Sequence, residues 1–190
     1  MKHSCGAILY SYDTNGNLGI ILGMEGWEWF PFKGCMAFGE TFEETAIREI
    51  YEETCGLVSL QTIFLEHHFN SKHKHYHIGL VPVDYSLIDK FNQRIKTEER
   101  MEFLEKKCIK FFTIDELKIC NLHQITKASI NFFWDKLLLL SKNKCHTLDE
   151  NLHVRNRSIT YNMCRFYNKK YDFCTRKKRD YENWRKSITV

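Results

Sequence analysis

The stretch that most restricts the fold is GCMAFGETFEETAIREIYEETCGL, Gly34 to Leu57. It reads as one amphipathic helix with marked ends. Thr41 followed three residues later by Glu44 is a capping box, which satisfies two orphan backbone donors at a helix start. Phe42, Ala46 and Ile50 recur at i, i+4 and i+8 and form an apolar stripe. Gly56 stands where a residue of positive φ ends a helix. A helix over Thr41–Thr54 follows, and its stripe has to lie against another element. The same stretch holds six glutamates, and like charges at helical spacing repel. With Glu49 at zero on the helical wheel, Glu53 falls near roughly 40° and Glu52 near roughly −60°. These carboxylates share one face beside Ala46 and Ile50, at the edge of the core. Either the face is a solvated, Glu-rich surface, or a cation sits among the acids. Carboxylate oxygens are the donors that Mg²⁺ or Mn²⁺ accepts. Arg48 is placed to orient one of the carboxylates from behind.

The remainder supplies mostly strands. CGAILYSYD from Cys5 and LGIILGM from Leu18 flank Asn15-Gly16, a strong two-residue hairpin signal. GWEWFPFKG, from Gly26, is aromatic and broken by Pro31, so a short strand running into a loop is expected. SLQTIFLEHHF and KHYHIGLVPVDY read as two further strands around the polar loop NSKHK. Leu87–Lys107 is mixed and charged and reads as a long loop with a helical turn. CIKFFTI is a strand, DELKIC starts a short helix at Asp115, and Thr126–Leu140 is an amphipathic helix. Strands with one early and one late helix give an α+β fold, a mixed β-sheet packed between helices.

Composition narrows the function classes. In 190 residues no apolar run approaches the roughly 20 residues of a membrane span, and the N-terminal stretch lacks the apolar region of a signal peptide. The expectation is an intracellular, cytoplasmic protein with no membrane partner. The eight cysteines are scattered without a CxxC pair and are expected to be free thiols. Cys145, His146, His153, Cys164 and Cys174 fit no common zinc spacing. The net charge of +4 hides an asymmetry: residues 141–190 carry 13 Lys and Arg against 5 Asp and Glu. That segment interleaves Tyr161, Phe166, Tyr167, Tyr171, Phe173, Tyr181 and Trp184. Bases stack on such rings while Lys and Arg take phosphates; a solvated tail without a partner is the plainer alternative. We therefore divide the chain at about residue 144, with 1–144 as the folded domain and 145–190 as a basic appendage.

The wider spacing around the acidic helix is more specific. Gly34, five residues, Glu40, seven residues, then Arg48-Glu49-Ile50-x-Glu52-Glu53 resembles the Nudix box. WFPFKG before it and KFFTIDEL after it also look like elements of that fold, over about residues 4 to 140. Two departures stand out. Thr54-Cys55 intervenes before Gly56, where one residue is usual, and Phe32 separates Pro31 from Lys33. The resemblance implies a Nudix fold and a Mg²⁺- or Mn²⁺-dependent hydrolase of a diphosphate linkage in a nucleoside diphosphate joined to another group. By position, Glu49, Glu52 and Glu53 are the implied metal ligands, with the Gly34 carbonyl as a further one. Glu40 and Arg48 support them. Glu98, Glu99 and Glu102 are candidate general bases, beside the box glutamates themselves. Lys33 is expected to face the substrate phosphates.

The stretch also looks most like messenger-RNA-decapping members of the family, so capped RNA leads as substrate. Trp27, Trp29, Phe69 and Tyr76 are candidates to stack a guanine cap, with core packing as their alternative role. His73, His75 and His77 alternate and share one strand face near His67 and His68, either toward phosphates or a metal, or as a polar border. Small nucleotides and inositol pyrophosphates are the alternative substrates, and an RNA-binding module without turnover is the alternative class. Oligomeric state is not readable.

Overall fold

The computed structural model describes residues 2–97 and 105–142. The chain runs β1 (Lys2–Tyr12), β2 (Leu18–Glu25), β3 (Glu28–Phe30), β4 (Phe32–Cys35), α1 (Phe42–Glu53), β5 (Leu65–Asn70), β6 (Lys74–Pro82), α2 (Leu87–Thr97), β7 (Ile109–Thr113) and α3 (Gln124–Lys142), with a 3-10 turn at Glu116–Lys118 before α3. The basic segment 145–190 and its aromatic residues, and the candidate bases Glu98, Glu99 and Glu102, lie outside the described residues.

The strand order β3-β2-β1-β6-β5, with β4 also on β1 and β7 also on β2, makes one mixed sheet. The β1–β6 pair is parallel, from Lys2↔Lys74 to Tyr10↔Pro82, and the other pairs are antiparallel. The central strands are buried on both faces, which is why β1 and β2 read as nearly continuous apolar runs. On one face Ile8, Tyr10, Ile20, Leu22 and Ile78 meet Ile130, Phe133 and Leu137 of α3. On the other, Ala7, Leu9 and Ile21 meet Ile50 of α1 and Leu87, Phe91 and Ile95 of α2. The mixed sheet between helices is the α+β arrangement expected. Among the described residues no helix is long and apolar enough to cross a membrane.

Four segments differ from the sequence expectation. The β1–β2 hairpin closes through the five residues Asp13–Asn17, with Asn17 N donating to Asp13 Oδ1 at 2.6 Å, instead of a two-residue turn at Asn15-Gly16. Leu87–Lys107 holds a regular helix, α2 (Leu87–Thr97), in place of a long loop with a helical turn. Its Leu87, Phe91 and Ile95 lie at i, i+4 and i+8, the same stripe that marks α1, but charges on the other positions dilute the pattern. The Asp115 helix shrinks to the 3-10 turn Glu116–Lys118. GWEWFPFKG forms two short strands, β3 and β4, with Pro31 between them.

Candidate functional site

Helix α1 positions most of the candidate residues. The capping box is formed: Glu44 N donates to Thr41 Oγ1 at 3.2 Å, and Thr41 N donates to Glu44 Oε2 at 2.8 Å. At the other end Cys55 (φ 55°) and Gly56 (φ 75°) both take positive φ, and Gly56 N donates to Tyr51 O at 2.7 Å. The extra residue before Gly56 is thus absorbed after Glu53, by a second left-handed residue. The box spacing up to Glu53 stays helical.

Arg48 is the hub of one carboxylate cluster. Its Nε donates to Glu40 Oε1 at 2.6 Å and its Nη2 to Glu40 Oε2 at 3.0 Å, a bidentate pair. Nη1 donates to Glu49 Oε1 at 2.7 Å and Glu52 Oε2 at 3.0 Å, and Nη2 also reaches the Cys35 carbonyl at 3.0 Å. Glu40 further accepts from Ala37 N and Thr45 Oγ1. These bonds, Arg48 first, hold the Glu40 carboxyl down at about 2. Glu49 moves the other way, raised by burial against the opposing effect of Arg48. Gly34 leaves the space that the Glu49 carboxylate occupies: a Cβ would lie 1.9 Å from Glu49 Oε2.

Glu53 belongs to a second cluster. Its Oε2 accepts from Lys33 N at 2.7 Å, and its Oε1 lies 3.3 Å from Lys106 Nζ. Lys106 Nζ also bonds Glu25 and the Pro31 carbonyl. Carboxylate oxygens of Glu25, Glu53 and Glu105 lie within 4.8 Å of one another. Burial lifts the Glu53 carboxyl to about 8, with Lys106 and Lys33 opposing the shift. The structure therefore joins Glu49 and Glu52 through Arg48, and joins Glu53 to Glu25 and Glu105 instead. Glu25, Glu105 and Lys106 were not found from the sequence. They are far from the helix in the chain, and Lys106 in EKKC reads as a surface charge.

Phe32, the residue that parts Pro31 from Lys33, is fully buried against Ile50 and Phe111. Lys33 follows with the opposite face of β4, its Nζ 5.1 Å from the Phe30 ring centre. The proposed stacking residues separate. Trp27 is 89% exposed in the β2–β3 turn. Trp29 packs edge-on against Phe112, and Tyr76 is buried and stacked on Phe69, both in the core under α3 and on the face of the sheet opposite α1. Packing, not an open platform, is the role Trp29 and Tyr76 show, because β-strand alternation turns them toward α3. His73 lies in the β5–β6 turn, while His77 is linked to His3 (2.9 Å) and His68 (2.8 Å) and stacked on Phe42. His67 is buried against Phe132. The histidine face therefore borders the start of α1. His3 and His68 bond to His77, whereas His75 Nδ1 bonds Asn70 Oδ1, and no three of these rings are brought together around one point among the described residues. A hollow of about 250 Å³ beside the exit of α1, lined by Leu57–Leu60, Pro82–Asp84, Ser86, Leu87 and Lys90, contains none of the candidate site residues.

Cys5, Cys35, Cys108 and Cys120 are free thiols, as expected, and burial pushes the Cys5 thiol up to about 12.

No protein-family model matches the sequence, and no curated protein matches it. Solved structures do match. A mutT/nudix family protein from Listeria innocua superposes with a TM-score of 0.54 at 17% identity, over 73% of this chain and 97% of that one. The Nudix domain of NrtR from Shewanella oneidensis, solved with ADP ribose, gives 0.53 at 15% identity over 71% and 87%. An Ap4A hydrolase from C. elegans, solved as a binary complex, gives 0.51 at 15% identity over 73% and 98%. Strand order, helix placement and these superpositions agree: this chain has the Nudix fold.

Proposed function

We propose that the chain is a Mg²⁺- or Mn²⁺-dependent hydrolase of a diphosphate linkage in a nucleoside-diphosphate derivative. One observation carries the reading. Of the spaced box, Glu40, Glu49 and Glu52 gather around Arg48 of the capped helix α1, with Glu49 seated where a Gly34 Cβ would stand, and Glu53 lies in the buried cluster at the end of the same helix. The donor set fits a hard divalent cation: it is all oxygen, and buried Glu53 Oε1 accepts no hydrogen bond, with the Lys106 ammonium 3.3 Å away as its ion-pair partner. Glu49, Glu52 and Glu53, with the Gly34 carbonyl, would hold the ion. Once bound, it offsets diphosphate charge and makes hydroxide accessible near neutral pH.

The chain's own residues do the rest. Arg48 fixes the directions of Glu40, Glu49 and Glu52, so the acids need not reorganise when a polyanion arrives. The Lys33 backbone amide holds Glu53 by Oε2. Glu98, Glu99 and Glu102 stay candidate bases, and Glu105 and Glu25 join them because they stand beside Glu53. A panel of diphosphate substrates with Mg²⁺ tests the reading. Turnover by the wild type and its loss in Glu53→Gln supports it. No turnover by either, with equal RNA binding by both, sinks it and leaves an RNA-binding module.

Capped RNA is the leading substrate class, supported by the basic, aromatic-rich residues 145–190. A small-nucleotide substrate is the second reading, favoured by the likeness to the C. elegans Ap4A hydrolase and the ADP-ribose-bound NrtR domain. Truncation before residue 145 separates them. Loss confined to capped RNA supports the first; equal loss, or none, supports the second.

A further inference from the structure

Lys106 is only 1% exposed, an unusual place for an ammonium group. Its surroundings are built for it. Gly23 leaves the room its stem occupies, since a Cβ there would lie 2.5 Å from Lys106 Cδ. The backbone next to it is clamped to β2: Lys107 N donates to Met24 O at 3.0 Å and Met24 N to Cys108 O at 2.9 Å. The Nζ meets Glu25, Glu53 Oε1 at 3.3 Å and the Pro31 carbonyl at 3.1 Å, over the rings of Phe30 and Phe32. One ammonium thus binds together the end of β2, the β3–β4 link and the last turn of α1.

We propose that Lys106 is a resident counter-ion that assembles Glu25 and Glu53 before any divalent ion binds, so that it couples folding stability to divalent-ion occupancy. The proposal rests on the metal-dependent reading above. Three carboxylates within 4.8 Å of one another repel, and one buried cation offsets only part of that charge. With Lys106 present, the carboxylates are held without metal and a divalent ion adds modestly to stability. Without it, the same carboxylates need an external cation, and the ion's contribution to stability grows. Lys106 is a positioning residue here, acting through Glu53.

The test is thermal unfolding of the full chain with and without Mn²⁺, alongside electron paramagnetic resonance of bound Mn²⁺. Lys106→Met keeps the stem and removes the charge. Without Mn²⁺ its midpoint should fall by about 6–12 °C below wild type. With Mn²⁺ the gap should close by about half or more. A gap that stays the same or widens overturns the proposal. Recovery of folded Lys106→Met only with Mn²⁺ supports it. If that variant folds in neither condition, Gly23→Ala decides: it displaces the lysine stem while leaving every charge in place, and should show a smaller gap that Mn²⁺ narrows. An unchanged gap overturns the proposal. Wild type that binds Mn²⁺ while the gaps fail to narrow overturns this role for Lys106 alone. Wild type that neither binds Mn²⁺ nor hydrolyses any diphosphate overturns the metal-dependent reading and this proposal with it.

Discussion

The two cation-centred clusters differ in how they are made. Around Arg48 every partner is close in sequence: Glu49 is adjacent, Glu52 four residues on, Glu40 eight back and Cys35 thirteen back. Around Lys106 the partners Pro31 and Glu25 are 75 and 81 residues away. The Arg48 side chain is 31% exposed, that of Lys106 only 1%. The first cluster is largely a consequence of helix geometry and draws only on α1, its preceding loop and the last residue of β4. The second exists only once β2, β4 and the segment before β7 have met. Exposed ion pairs contribute about 0–1 kcal/mol each, whereas leaving a buried charge unpaired costs about 3–5 kcal/mol. The Arg48 cluster is thus suited to arranging acids, and the Lys106 cluster to tying the helix to the sheet.

Glu53→Gln should give the largest effect, because Glu53 is an expected metal ligand inside the buried cluster. Diphosphate hydrolysis should fall by more than the ~100-fold seen when residues behind a metal ligand are changed. The same variant carries a stability signature. The Glu53 carboxyl is raised to about 8, so between its unfolded value near 4.5 and about 8 the folded protein binds more protons than the unfolded chain. This group's contribution to metal-free stability therefore decreases as pH rises through that window and is constant above it. Denaturant unfolding across the window should fall more steeply with pH for wild type than for Glu53→Gln. Parallel curves would mean that Glu53 is not held as described.

Arg48→Lys probes the other cluster. A lysine cannot make the bidentate contact with Glu40 while also reaching Glu49, Glu52 and the Cys35 carbonyl. Activity should drop by about 10–100-fold, with little change in metal-free thermal stability. Gly34→Ala should fall in the same range, since its methyl group would displace the Glu49 carboxylate. Glu40 adds a sign check at acid pH. Its carboxyl is held at about 2, so the stability it contributes is complete above about 4.5 and is lost as pH falls through about 2. Glu40→Gln should remove that acid-side loss and leave the window of Glu53 untouched. If Arg48→Lys destabilises the metal-free protein as much as Lys106→Met does, the contrast between the clusters is wrong.

What was legible follows the same division. Local spacing carried α1, its capping box, the apolar stripe and the Arg48 cluster, because a helix converts sequence separation directly into proximity. The strands were legible as apolar runs, but their order depends on pairing between distant segments. That is why Trp29 and Tyr76 read as candidate stackers in the sequence: aromatic content is visible there, while the face of the sheet is set by register. Helix α2 carried a readable i, i+4, i+8 stripe in Leu87, Phe91 and Ile95 that surrounding charges obscured. Lys106 had no local signal, since its burial needs the space left by Gly23, 83 positions earlier in the sequence. The spacing before Gly56 looked irregular, yet one positive-φ residue at Cys55 absorbs it beyond the acids.

The smallest predicted effect bears on how the two clusters share α1. Thr41→Ala removes the Oγ1 acceptor for Glu44 N, costing about 1 kcal/mol and roughly 2–4 °C in the unfolding midpoint. The lost cap loosens the first turn, at Thr45, whose Oγ1 bonds both the Thr41 carbonyl and Glu40 Oε2. Glu40 is therefore the first acid to lose a partner, while Glu53 sits at the far end of the helix, held from the sheet by Lys33 N and Lys106. Activity at 25 °C should change by less than about twofold, because Arg48 still grips Glu40 by both oxygens. Hydrogen exchange should rise in residues 42–46 and stay unchanged in residues 50–53. Equal loss of protection at both ends would mean that α1 frays as one unit, and that the sheet does not anchor its last turn independently of its cap.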